Sequence, residues 1–166
     1  ASTQQKGNRR IANMKSLQTR EIELGDGGKT DLRTQFAALC YRIKDDKLQF
    51  CIVTSRRSKR WIVPKGWPMH GETPMDAAAT EAFEEAGVRG KIYPRPIGVF
   101  SYYKVRSQDE LPCMAVVYPL KVKKILKRWP EDRERERKWV SRKKAAQMVD
   151  DPELSVIIQT FNPDLV

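Results

Sequence analysis

The sequence predicts an α/β domain, and three observations predict it. Runs rich in β-branched and aromatic residues alternate with segments of helical period, and the helical segments carry signals at their ends. A hydrophobic content of 40% over 166 residues suits one domain with its own core. Residues 1–33 are polar, with glycines at 7, 25, 27 and 28 and no sustained apolar period. They read as an arm ahead of a single domain spanning 34–166.

Phe36, Leu39, Cys40, Tyr41 and Ile43 mark a first strand over residues 34–44, and Leu48 to Thr54 forms a second. The break at Lys44-Asp45-Asp46-Lys47 makes the pair a β-hairpin. Trp61-Ile62-Val63 reads as a short strand ended by Pro64. Residues 73–87 form the best-marked helix. Thr73 caps it, Pro74 takes the first helical position, Asp76 stands where a capping-box acid belongs, and Gly87 suits the left-handed residue past the last turn. Val99 to Val105 and Cys113 to Val122 follow as a strand pair around a polar loop. A second helix starts at Ser141 and a third at Asp151-Pro152-Glu153, where Leu154, Ile157, Ile158 and Phe161 recur at helical spacing.

Thirty-two Lys and Arg against 21 Asp and Glu give a net charge of +11. Such an excess favours phosphate esters, nucleic acids or an anionic membrane surface as partners, and a merely solvated surface is the alternative. No apolar stretch approaches the ~20 residues of a spanning helix, and no secretion-type apolar segment opens the chain, so neither membrane insertion nor secretion is expected. Cys40, Cys51 and Cys113 sit in apolar runs and read as small core residues of a cytoplasmic protein without a disulfide-linked partner. His70 is the sole histidine, which excludes HExxH zinc chemistry and any mechanism needing two histidines.

On the 73–87 helix, Glu81, Glu84 and Glu85 are spaced i, i+3 and i+4 and form one acidic stripe. On the same wheel Met75, Ala79, Ala82, Phe83 and Ala86 are assigned to the opposite, core-facing side, leaving the carboxylates a face of their own. Like charges one turn apart repel by a few tenths of a kcal/mol. The C-terminal end of a helix disfavours negative charge further. A hard divalent cation would reverse that repulsion, because Mg²⁺ takes carboxylate oxygens and leaves positions for water or phosphate. Pairing of an exposed acidic face with nearby Lys or Arg is the competing explanation. The segment ahead tips the balance, because Gly66, five residues, Glu72, seven residues and the Glu-rich turn fall at fixed intervals.

That spacing resembles the signature of the Nudix hydrolases. It is glycine, five residues, glutamate, seven residues, then Arg-Glu-aliphatic-any-Glu-Glu-any-Gly-aliphatic. Here it reads Gly66, Glu72 and Thr80-Glu81-Ala82-Phe83-Glu84-Glu85-Ala86-Gly87-Val88. The resemblance implies an α/β/α sandwich with a central mixed sheet and a loop-helix-loop metal site. It implies Mg²⁺, or alternatively Mn²⁺, as cofactor, and hydrolysis of a pyrophosphate linkage by metal-activated water. By position Glu81, Glu84 and Glu85 carry over as the metal-binding and catalytic carboxylates. The Gly66 carbonyl carries over as a further metal ligand and Glu72 as a supporting loop residue. Which glutamate acts as base stays open.

One position departs. Thr80 stands where the family has arginine, one turn before Glu84, and a hydroxyl cannot replace a guanidinium that fixes a carboxylate. A slower site, an inactive one, or substitution by a basic side chain from elsewhere in the fold are the outcomes this allows. The basic cluster Arg56, Arg57, Lys59, Arg60 and Lys65 directly precedes the loop and is suited to clamp several phosphates. Arg60 to Gly66, with Glu85 to Gly90, resembles the diphosphoinositol polyphosphate and diadenosine polyphosphate phosphohydrolase branch. A polyphosphorylated small molecule is therefore the expected substrate.

Residues 121–144 hold twelve Lys or Arg against four acids, with Trp129 and Trp139 interleaved. An RNA 5′ end, read by an RNA 5′-pyrophosphohydrolase, is thus a second substrate class, and a non-catalytic nucleotide or nucleic-acid binding module is a third reading. Core packing is the simpler account of the tryptophans. Glu134 and Glu136 are expected either to offer an extra base or to balance arginines, and Tyr102 and Tyr103 either to stack a base or to pack on the sheet.

Overall fold

The computed structural model describes residues 33–166. The arm expected over residues 1–33 lies outside the described residues apart from Arg33, which opens the first strand. In chain order the elements are β1 (Arg33–Lys44), β2 (Lys47–Thr54), β3 (Trp61–Ile62), β4 (Lys65–Gly66), α1 (Pro74–Ala86), β5 (Val88–Ile92), β6 (Gly98–Val105), β7 (Glu110–Ile125), β8 (Arg137–Ser141), α2 (Arg142–Met148), α3 (Pro152–Thr160) and a 3₁₀ turn at Pro163–Leu165. Residues 34–102 and 114–166 form one compact unit, and 103–113, around the turn between β6 and β7, fall outside it. Arg106 and Asp109 close that turn with an ion pair of 2.6 Å.

The eight strands make one mixed sheet ordered β3-β2-β1-β7-β5, with β4 on β1, β6 on β7 and β8 on β2. β1 and β2 pair antiparallel from Cys40↔Cys51 to Lys44↔Lys47, and Asp45 and Asp46 turn the hairpin at φ 51° and 63°. Aspartate tolerates that left-handed backbone better than most residues, because its short polar side chain bonds locally.

Period-two alternation along β1 splits the core in two. Ala37, Leu39 and Tyr41 join Phe50, Val117, Ala145, Leu154, Ile157 and Ile158, so α2 and α3 cover that face. Ala38 and Cys40 join Cys51, Val53, Ala78, Ala82, Ala86 and Leu120, so α1 covers the other. The three cysteines are buried and free, as their apolar settings require. Among the described residues no helix is long and apolar enough to cross a membrane.

The helix ends form as their residues dictate. The Thr73 hydroxyl accepts from the Asp76 amide at 3.2 Å and donates to the Asp76 carboxylate at 2.8 Å, and Gly87 ends α1 at φ 63°. Ser141 caps α2 by accepting from the Lys144 amide at 3.2 Å. No basic residue occupies the last turn of α1. Arg137 on β8 takes that place, donating to the carbonyls of Ala86 and Leu126 at 2.9 Å each and lying 4.1 Å over the Trp129 ring.

Candidate active site

The loop after β4 and the end of α1 bring the signature residues together. Lys65 and Gly66 are held on β1, with Phe36 opposite Gly66, so the start of the loop is fixed to the sheet. A β-carbon built on Gly66 would lie 2.2 Å from Glu81 Oε1. Glycine therefore leaves the space into which the Glu81 carboxyl group reaches from α1. One turn further on, Glu85 Oε2 accepts from the Lys65 backbone amide at 3.1 Å. The two signature segments are thus joined through Gly66–Glu81 and Lys65–Glu85.

The wheel assignment for α1 needs correction at Glu85. It is buried, together with Ala77, Ala78, Ala82 and Ala86, whereas Met75, Ala79 and Phe83 are only half-buried. Seven residues separate Ala78 from Glu85, two turns within about 20°, so Glu85 shares the face of Ala78 instead of opposing it. The acidic stripe borders the core.

Burial has a cost that partners must offset. Arg135 meets Glu85 Oε1 at 3.1 Å, with the two side chains only 7% and 4% exposed. The same guanidinium holds Glu131 Oε1 through Nη2 at 3.0 Å and Nε at 3.2 Å, and donates from Nη1 to the Thr54 carbonyl at 3.1 Å. Burial pushes the Glu85 proton affinity up, while Arg135 and Lys65 pull it down. Glu81 has no such relief: burial first, then the neighbouring charge and hydrogen bond of Glu85, then Glu84 and Glu131, push it up to about 8.

Among the described residues no three carboxylates converge on one point, because Glu85 is bonded to Lys65 and Arg135 while Glu81 abuts Gly66. Glu81 and Glu85 are instead close enough for Glu85 to raise the hold of Glu81 on its proton. Two carboxyl groups one turn apart, beside a glycine that leaves room for one of them, are hard oxygen donors. In donor type they suit a divalent cation, and among the described residues no three such groups are gathered around one point.

The remaining expected residues are distributed around this pair. Glu84 is half-buried, and its carbonyl accepts from the Glu131 amide at 3.1 Å. Glu72 is tied down by the Thr80 hydroxyl, which lies 3.3 Å from each of its carboxylate oxygens. The basic cluster divides. Arg56 pairs with Glu131 and Glu134 at 3.8 and 3.7 Å, and Lys59 Nζ donates to the Glu134 carbonyl at 3.1 Å. Arg57 and Arg60 are exposed, and Lys65 Nζ lies 4.7 Å over the Tyr102 ring. His70 is exposed in the loop.

Tyr102 packs on Phe100 at 5.8 Å and bonds Gln35, whereas Tyr103 is 63% exposed. Trp139 packs on the α1 side of the sheet. Trp129 donates to the Glu85 carbonyl at 3.0 Å, so it serves the site's scaffold. Sequence reasoning missed Glu131 and Arg135. Both lie in a run of charges whose local pattern gives no way to single them out. The arginine absent at position 80 was the one signal that a cation had to come from elsewhere.

An α/β/α sandwich whose α1 brings the buried Glu85 and the half-buried Glu81 to a glycine loop defines the class of molecule. The NUDIX domain family model matches residues 33–161, and the chain belongs to that family. Among its relatives are Nudix hydrolase 13, mitochondrial, of Arabidopsis thaliana, 34% identical over 63% of this chain and 54% of its own length. Diphosphoinositol polyphosphate phosphohydrolase 3-beta of Homo sapiens is 36% identical over 62% of this chain and 60% of its own length. The chain thus spans a little over half the length of these curated relatives. The same fold occurs in the C. elegans Ap4A hydrolase, at a TM-score of 0.58 and 18% identity over 81% of this chain and 99% of that one.

Proposed function

We propose that the chain is a divalent-metal-dependent hydrolase that cleaves a pyrophosphate linkage in a polyphosphorylated small molecule of the inositol pyrophosphate or diadenosine polyphosphate type. The observation that carries this reading is the meeting of Glu81 and Glu85 beside Gly66. Relatives named as diphosphoinositol polyphosphate phosphohydrolases support the substrate class. So does the excess of 11 positive charges, which draws polyanions toward the site.

Glu81, Glu84, Glu85 and the Gly66 carbonyl would hold Mg²⁺ or Mn²⁺ once the three carboxylates, which do not converge on one point as they stand, turn toward it. When bound, the ion supplies charge neutralisation at the phosphate oxygens and a more acidic water. Glu85, fixed on both oxygens, is the rigid donor of the set. Glu81 or Glu84 beside it would orient the attacking water and take its proton. Arg56, Arg57, Lys59 and Arg60 are the cations available to the remaining phosphates, and the exposed ones are free to reorient toward a ligand.

A second reading, an RNA 5′-pyrophosphohydrolase, draws support from the twelve cations of residues 121–144. Phosphate release from diadenosine polyphosphates, inositol pyrophosphates, ADP-ribose and triphosphorylated RNA, with Mg²⁺ and with chelator, tests both. Metal-dependent turnover of the first two classes is expected. Turnover confined to RNA selects the second reading, and binding without turnover of any substrate overturns the hydrolase assignment.

A further inference from the structure

We infer that Arg135 is the positioning residue of this site, a guanidinium from the β7–β8 connection that holds Glu85 in place where the signature arginine is absent at Thr80. The inference rests on the reading of Glu85 as a metal-facing carboxylate. Thr80 is committed elsewhere, since its hydroxyl bonds Glu72, and no hydroxyl could offset a buried carboxylate charge. Arg135 has both the charge and the fixed geometry required. Its guanidinium reaches Glu85 Oε1 at 3.1 Å, and Glu131 and the Thr54 carbonyl occupy its other donors at 3.0–3.2 Å. With 7% of its side chain exposed, it is not a surface arginine that happens to lie near an acid.

Each anchor is itself anchored. Glu131 is the residue four before Arg135, and its amide is bonded to the Glu84 carbonyl, so the arginine's loop is tied to the helix whose carboxylate it holds. Thr54 ends β2, its amide bonds the Glu136 carbonyl, and its hydroxyl accepts from the Glu136 amide at 2.9 Å. The guanidinium is therefore held in place by partners other than Glu85. Glu85 lies between Lys65 on the sheet, whose amide donates to Oε2, and Arg135 on the loop, which forms an ion pair with Oε1. Such outer partners orient the groups that touch an ion or a substrate without touching either themselves.

A double-mutant cycle tests this, read by Mn²⁺ affinity of the free protein and by steady-state kinetics on whichever panel substrate the wild type hydrolyses. Arg135→Met is expected to weaken Mn²⁺ binding and lower kcat by about 10- to 100-fold with KM kept within about twofold. Arg135→Lys should fall between it and the wild type, and it carries the test if Arg135→Met does not fold. In a Glu85→Gln background, Arg135→Met should change Mn²⁺ affinity no further.

A raised KM with kcat retained would place Arg135 on the substrate and overturn the inference. Losses that add in the double variant, or Mn²⁺ affinity unchanged by Arg135→Met, would overturn it too, while leaving the hydrolase reading intact. Coupled Mn²⁺ losses in a chain that hydrolyses none of the panel would uphold the inference and sink the hydrolase reading. No Mn²⁺ binding by the wild type would sink both.

Discussion

Glu81 and Glu85 differ by one helical turn, and their settings differ by one arginine. Glu85 is the deeper of the two, yet Arg135 and the Lys65 amide favour its charged form, while Glu81 faces the other carboxylates without a cation. Gly66 allows this arrangement. Gly66→Ala would press a methyl group against the end of the Glu81 side chain, which can swing aside, so the fold should survive and the carboxylate should leave its place. The expected outcome is a melting temperature close to that of the wild type, with turnover reduced by about 10-fold or more, the scale on which displaced catalytic groups cost rate. Retained turnover in that variant would show that Glu81 is not needed beside the loop.

At the scale of elements, α1 is the part most legible in the sequence. Thr73, Pro74, Asp76 and Gly87 each occupy the position their side-chain chemistry prescribes, and the hairpin of β1 and β2 follows from its interrupted apolar runs. β5 and β8 were not legible. Val-Arg-Gly-Lys-Ile and Arg-Lys-Trp-Val-Ser lack the apolar density of a strand, and their pairing with β7 and β2 comes from the sheet. The burial of Glu85 was hidden for a related reason: its charge suggested solvent, while its angle on the helix assigned it to the core. Arg135 was hidden because nothing local separates it from Arg133 or Arg137, and only the fold brings it to Glu85.

The end of α1 is also closely packed against the loop that follows β7. A β-carbon on Gly87 would lie 2.6 Å from the Trp129 ring, and the residue's φ of 63° strains any other side chain. Gly87→Ala should therefore cost about 1–3 kcal/mol in urea unfolding, and by shifting Trp129 it should disturb the carbonyl of Glu85 as well. Unchanged stability would contradict the tight packing of the α1 terminus on that tryptophan.

For the whole molecule, the carboxylates couple folding to pH. Between its ordinary value of 4.5 and about 8, folded Glu81 keeps a proton that the unfolded chain has released. Its contribution to stability is thus full below 4.5, declines as pH rises, and is gone above about 8. In the presence of chelator, urea unfolding should show stability falling from pH 5 to pH 8.5, and Glu81→Gln should flatten that slope. An equal slope in both proteins would place the titrating group elsewhere. The two-faced core follows from alternation along β1, whereas the site depends on a long-range meeting of β4, α1 and the β7–β8 connection that no local pattern announces.

On the proposed hydrolase reading, Glu85 belongs to the chemistry. Glu85→Gln removes its charge while Arg135 keeps Glu131 and the Thr54 carbonyl, so no buried cation is left unpaired and the fold should hold. The most direct measurement is phosphate release by Glu85→Gln beside the wild type under saturating Mg²⁺, with the melting temperature of each recorded. The expected result is a loss of about 100-fold or more at an unchanged melting temperature. Undiminished release from the folded variant would contradict the account.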